Sequence, residues 1–179
     1  MLELENPVIA AVRKDSEFES AINSLTSVIF LLKADIMSLN KLIEKKGNKK
    51  IFVHIDMAEG IGKDKKGLEY LKSIDVDGII TTKNHLVTSA KAMGLSTVQR
   101  FFIIDSASVD TATESINNAK PDYAEVMPGA SKKVVEKMVS LTSVPIIAGG
   151  LIETKQDIIT ALNAGATAVS TGRKELWEI

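Results

Sequence analysis

The chain has 179 residues, 45% hydrophobic and 25% charged, enough for one domain over residues 1–179 and too few for two with separate cores. A net charge of −1 excludes a protein held to nucleic acid by its overall charge, so an RNA contact has to rest on a local patch. Cysteine is absent, which rules out disulfides, thiolate metal sites and a cysteine nucleophile, and fits a reducing cytoplasm.

In chain order, the opening Met1-Leu2-Glu3-Leu4-Glu5 is too acidic and too short to be read as a signal peptide, and no apolar run reaches membrane-spanning length. Short runs rich in Val and Ile then predict strands over residues 8–12, 28–32, 51–56, 78–81, 98–105, 123–127, 145–148 and 167–171. Most are continuously apolar rather than alternating, the pattern of parallel strands covered on both faces. Helical spacing fills the gaps. Phe18, Ala21, Ile22 and Leu25 share a face behind a cap at Ser16, and Ile36, Leu39 and Ile43 share one behind Asp35. Val109, Ala112 and Ile116 follow Ser106, and Val134, Val135 and Met138 follow Ser131. Thr154-Lys155-Gln156-Asp157 approaches a capping box ahead of Ile158, Ala161 and Leu162. Gly47, Gly94 and Gly165 stand where helices should stop.

Strand then helix, eight times over at roughly 22 residues per unit, predicts an α/β fold, a single minimal (β/α)8 TIM barrel with a closed parallel sheet. The rival is an open doubly wound sheet. Its glycine-rich dinucleotide turn is missing from Val12-Arg13-Lys14-Asp15, so the closed barrel is favoured.

The sharpest local signal is Pro145-Ile-Ile-Ala-Gly-Gly-Leu-Ile152, followed one unit later by Ala168-Val-Ser-Thr-Gly172. Loops after the seventh and eighth strands of such barrels often bind phosphate through main-chain amides. Side chains at Gly149, Gly150 or Gly172 would obstruct that approach. Ser170 or Thr171 would add a hydroxyl, and Arg173 a guanidinium fork. A lone Gly-Gly pair only permits a tight turn. Two such loops in consecutive units favour a phosphate site.

Function in this fold gathers where strands end. Those ends carry Arg13, Lys33 with Asp35, Asp56, Lys83, Asp105 and Glu125. Strand alternation sets Phe52, His54 and Asp56 on one face, with Asp56 at the rim and His54 a layer below if that face is the lumen. Arg100 and Glu125 are charges inside apolar strands and are expected to pair. They either meet a polyol phosphate or form an interior network. His54 alone is more often a core histidine than a ligand, and His85 is expected exposed at a helix start. The lysines of residues 45–50 are read as solvated surface at the barrel bottom. Lys63, Lys65 and Lys66 follow Glu59-Gly60-Ile61-Gly62 in the longest loop at the functional face, which makes them the RNA-contact or lid candidates.

Six collinear stretches carry a resemblance: Asn6-Pro-Val-Ile-Ala-Ala-Val12, His54-Ile-Asp-Met-Ala-Glu-Gly60, Asp77-Gly-Ile-Ile-Thr-Thr-Lys83, Gln99-Arg-Phe-Phe-Ile-Ile-Asp-Ser106, Glu125-Val-Met-Pro-Gly129 and Ile146-Ile-Ala-Gly-Gly-Leu-Ile-Glu-Thr154. In these the sequence resembles the glycerol uptake operon antiterminator regulatory protein family. The resemblance implies a cytoplasmic bacterial regulator, without cofactor, that senses glycerol 3-phosphate and acts on leader mRNA to prevent premature termination. It marks Asp56, Glu59, Lys83, Arg100, Asp105, Glu125, Gly149 and Gly150 as family-typical positions; their assignment to ligand contact follows from strand ends. The chain departs from the family at Lys33-Ala34 and at Gly172-Arg173.

The competing class is a sugar-phosphate isomerase, epimerase or aldolase. No lysine closes the sixth strand for a Schiff base, although Lys83 is available on the fourth. Two histidines are few for a metal epimerase. An acid–base pair drawn from Asp56, Lys83 and Glu125 remains open, as does an interaction scaffold with no ligand. Oligomerisation is left open too.

Overall fold

A computed structural model describes residues 6–179; the leader expectation for residues 1–5 lies outside the described residues. The strands are β1 (Val8–Val12), β2 (Val28–Leu31), β3 (Lys50–His54), β4 (Gly78–Thr81), β5 (Ser96–Phe102), β6 (Tyr123–Met127), β7 (Ile146–Gly149) and β8 (Ala168–Thr171). Each pairs in parallel with the next and β8 pairs with β1, closing the barrel. The helices are α1 (Asp15–Asn23), α2 (Ile36–Ile43), α3 (Lys65–Ser73), α4 (Asn84–Ala92), α5 (Ser106–Ala119), α6 (Lys132–Leu141) and α7 (Lys155–Asn163). The expected eighth helix is instead a 3-10 turn at Lys174–Glu178. Trp177 still plugs that gap: it is buried, and its Nε1 donates to the Thr171 carbonyl at 2.8 Å.

Strand alternation divides the apolar residues into two cores. Ile9, Phe30, Phe52, Ile80, Val98 and Ile147 fill the lumen, while the alternate residues pack outward under the helices. Phe30 and Phe52 meet at 5.7 Å between ring centres, in a tilted pair. Phe52 is fully buried, so cutting it to alanine should cost about 3–5 kcal/mol.

Most departures from the sequence expectation occur at element ends, where capping overrides apolar continuity. β3 stops at His54 because the chain enters a 3-10 turn at Ile55–Met57, which takes Asp56 off the strand. β5 stops at Phe102, since Asp105 caps α5 in place of Ser106: it accepts from the Ser108 amide at 2.8 Å. α1 is preceded by Lys14 rather than Ser16, and Leu25 lies beyond the helix, 62% exposed. The Asp35 cap and the Thr154–Asp157 capping box form as expected. Gly94 and Gly165 follow α4 and α7 at positive φ, whereas α2 ends before Gly47.

At the bottom, several lysines are structural rather than merely solvated. Lys46 reaches Asp75 and Asp77, Lys50 also pairs with Asp77, and Lys49 donates to the carbonyls of Ser24 and Thr26. Together they tie the starts of β3 and β4 to the segments around them. No helix among the described residues is long and apolar enough to cross a membrane.

Candidate functional site

A cavity of about 520 Å³ opens at the C-terminal mouth, a size ordinary for small-molecule sites. It lies over the ends of β1, β5, β6, β7 and β8. Gly150, Leu151 and Ile152 form its β7 wall, Ser170, Thr171, Gly172 and Arg173 its β8 wall, with Arg13 between β8 and Leu32 and with Arg100 and Phe102 opposite. The two glycine turns therefore do meet one cavity.

The two glycines of the β7 turn serve different ends. Gly150 lines the cavity at φ +76, a left-handed conformation that glycine adopts without the clash a Cβ brings. Leu151 follows at φ +58 with its side chain exposed, so the turn holds two successive left-handed residues. Gly149 is buried and does not line the cavity. A Cβ there would stand 2.5 Å from Glu125 Oε1 and 2.7 Å from Ser170 Oγ, so its missing side chain makes room for an interior network. Thr171 is likewise turned to structure: its hydroxyl donates to the Ile152 carbonyl at 2.7 Å and accepts from the Arg173 amide, locking the two loops together.

That interior network forms the floor. Glu125 is fully buried; its Oε2 accepts a hydrogen bond from Arg100 Nε at 2.6 Å and its Oε1 accepts from the Ser170 hydroxyl at 2.6 Å. Register makes this possible, because Arg100 and Glu125 are direct partners across β5 and β6. Both carboxylate oxygens are engaged, so Glu125 orients Arg100, and Arg100 is the member that borders the cavity. On the other side Arg100 Nη1 lies 3.5 Å from His54 Nδ1. A guanidinium only donates, which leaves the imidazole proton on Nε2. Burial, and then the Arg100 charge, push the His54 pKa down from 6.5 to about 4. A neutral His54 makes no ion pair with Asp56, 3.8 Å away, and among the described residues its buried Nε2 has no hydrogen-bond partner within 3.5 Å.

The remaining sequence candidates do not join this cavity. Asp56 accepts from the Thr81 hydroxyl at 2.7 Å and from the Thr82 amide and hydroxyl at 2.7 and 2.9 Å, which stitches the turn after β3 to the end of β4. Burial opposes its charge, yet those donors hold its carboxyl below the usual range. Glu59 pairs with Lys33 at 3.4 Å on an exposed surface, and Lys83 is the exposed N-cap residue of α4. Asp105 is spent on its helix cap. Lys63 donates to the Ala58 carbonyl, Lys66 pairs with Glu69, and Lys65 and Lys66 open α3 rather than standing in a free loop.

Arg13 enters the site although it was read only as one charged strand end among several. Its guanidinium lies about 3.9 Å from where a Gly172 side chain would begin, and it has no carboxylate partner among the described residues. Arg173, by contrast, is held by Glu153 at 2.8 Å. The unpaired cation beside the glycine turns is therefore Arg13. An anion with two or more oxygens would find main chain at Gly150, Leu151 and Gly172, with guanidinium groups at Arg13 and Arg173.

Residues 8–177 match the model of a protein family described as glycerol-3-phosphate responsive antiterminator. The uncharacterised Escherichia coli K12 protein YgcP is 34% identical over 178 residues, 98% of this chain and 93% of that one. A glycerol uptake operon antiterminator regulatory protein from Listeria monocytogenes is 30% identical, with a TM-score of 0.93 over 99% of this chain and 98% of that one. An antiterminator-related protein from Thermotoga maritima is 32% identical, with a TM-score of 0.86 over 97% and 99%. Barrel enzymes superpose at much lower identity, such as an N-acetylmannosamine-6-phosphate 2-epimerase from Clostridium perfringens at 15%, which speaks to the fold alone.

Proposed function

The chain belongs to the glycerol-3-phosphate responsive antiterminator family, and from that membership we propose that it is a cytoplasmic sensor that binds glycerol 3-phosphate at the barrel mouth and then acts on leader mRNA of glycerol-utilisation operons. The observation that carries the ligand half is the convergence of the β7 and β8 glycine turns on one cavity, beside an arginine whose guanidinium has no carboxylate partner among the described residues. The phosphate sits against Gly150, Leu151 and Gly172, with Arg13 and Arg173 on its oxygens. The glycerol end points toward Arg100, which Glu125 holds in place. Asp56, Glu59, Lys83 and Asp105 are left to support the loops.

Lys63, Lys65 and Lys66 are the candidates for RNA contact; Lys65 is the one whose ammonium has no partner among the described residues. A catalytic role is disfavoured by the same geometry. Asp56 and Glu125 both have their oxygens engaged, and Lys83 does not line the cavity.

The test pairs calorimetric titration of glycerol 3-phosphate with retention of labelled leader RNA. The expected result is saturable binding and RNA retention that rises with the ligand. Retention indifferent to glycerol 3-phosphate, or turnover of a triose or hexulose phosphate, contradicts the proposal.

A further inference from the structure

A second cavity, about 710 Å³, lies outside the barrel between α5 and α6, and its lining begins at Ile103, in the loop that follows β5 at the rim of the mouth. Its walls carry opposite charge. Asp105, whose Oδ1 also caps α5, and Asp110 stand on the α5 side. Lys133 and Lys137 stand on the α6 side together with Glu136, which pairs with Lys132 at 3.5 Å, and among the described residues Asp105, Asp110, Lys133 and Lys137 are in no ion pair. Val134 lines the groove between them, and Ile104 projects at its edge, 88% exposed. An isoleucine left in water forgoes roughly 1.5–3 kcal/mol of burial, which singles it out from the charged surface around it.

We propose that this groove is the contact between two copies of the chain, related by a two-fold axis that sets α5 of one against α6 of the other. The charge pattern selects that occupant. A polyanion would meet Asp105 and Asp110, and a basic segment would meet Lys133 and Lys137. A second copy presents its basic wall to the acidic one and its acidic wall to the basic one, so each complementary contact is made twice. The same operation carries Ile104 of each copy into the groove of the other. Helices of 14 and 10 residues are about 21 and 15 Å long, a face near the low end of what stable dimers bury. The dimer is therefore reversible.

Sedimentation of the full chain from about 1 μM to 1 mM, the range in which contacts of this size dissociate, reads the equilibrium directly. A monomer–dimer transition is expected, with Ile104→Glu raising the dissociation constant about tenfold or more. Asp110→Lys and Lys137→Asp should each weaken the dimer, and the double variant should return to within about threefold of the parent. These are exposed positions, so unchanged circular dichroism is expected; the double reversal carries the test should Ile104→Glu misfold. A chain monomeric throughout overturns the proposal. So does a dimer indifferent to Ile104→Glu, a double reversal weaker than either single one, or an assembly that forms only with RNA present.

Discussion

Two arcs of the barrel mouth carry comparable numbers of polar residues and do different things with them. On the β7–β8–β1 arc, Gly150, Gly172, Arg13 and Arg173 face one cavity, and among the described residues the Arg13 guanidinium has no carboxylate partner. On the β3–β4 arc, Asp56 is consumed by Thr81 and Thr82, Glu59 by Lys33, and Lys63 by a carbonyl. A polar residue at a strand end is thus a ligand candidate only when its hydrogen-bonding capacity is left over after the loops are built. In the proposed function the first arc is preorganised for an anion; the second is built for its own rigidity.

The largest expected effect falls on the network beneath the first arc. Glu125→Ala leaves Arg100 buried and unpaired, which should cost about 3–5 kcal/mol in urea unfolding and abolish ligand binding with it. Next comes acid. The unfolded chain protonates His54 near pH 6.5 but the folded one only near pH 4, so stability is complete above that range and falls as pH drops through it, by roughly 3 kcal/mol at most. In a His54→Gln variant the slope of unfolding free energy against pH should flatten over that window.

Arg13→Ala sets one arc directly against the other. Loss of a charge-assisted contact should weaken glycerol 3-phosphate binding by about tenfold to a hundredfold in calorimetry, while Lys83→Ala changes it by less than about twofold. Equal losses would break the distinction. Gly150→Ala forces a Cβ into a left-handed residue 3.3 Å from the Met127 side chain, and thermal unfolding should report about 1–2 kcal/mol of destabilisation. Smallest of all, Glu153→Ala removes an exposed pair and should shift stability by less than about 1 kcal/mol.

The barrel was legible in the sequence because each strand is an apolar run with two buried faces, and a period of two sorted Phe52 and His54 into the lumen. The paired Arg100 and Glu125 were legible for the same reason: an isolated charge in such a run needs a partner. The two turns that meet the mouth cavity were visible through their glycines. Asp56 and Asp105 misled because an apolar run does not reveal where the chain stops being a strand. A 3-10 turn claimed the first and a helix cap the second. β1 and β8, at opposite ends of the chain, become neighbours when the barrel closes. The predicted closed barrel implied that neighbourhood, but not that the Arg13 side chain turns toward Gly172, and so Arg13 was not assigned to the site. Gly149 was given an anion to admit, when the side chains it admits are those of Glu125 and Ser170.

Amide chemical shifts recorded during titration with glycerol 3-phosphate test the central claim most directly. The Gly150, Leu151 and Gly172 amides should move first and furthest, and the residues around Asp56 and Lys83 should stay near their starting positions. Large shifts on the β3–β4 arc with the β7 and β8 turns unmoved would contradict the account.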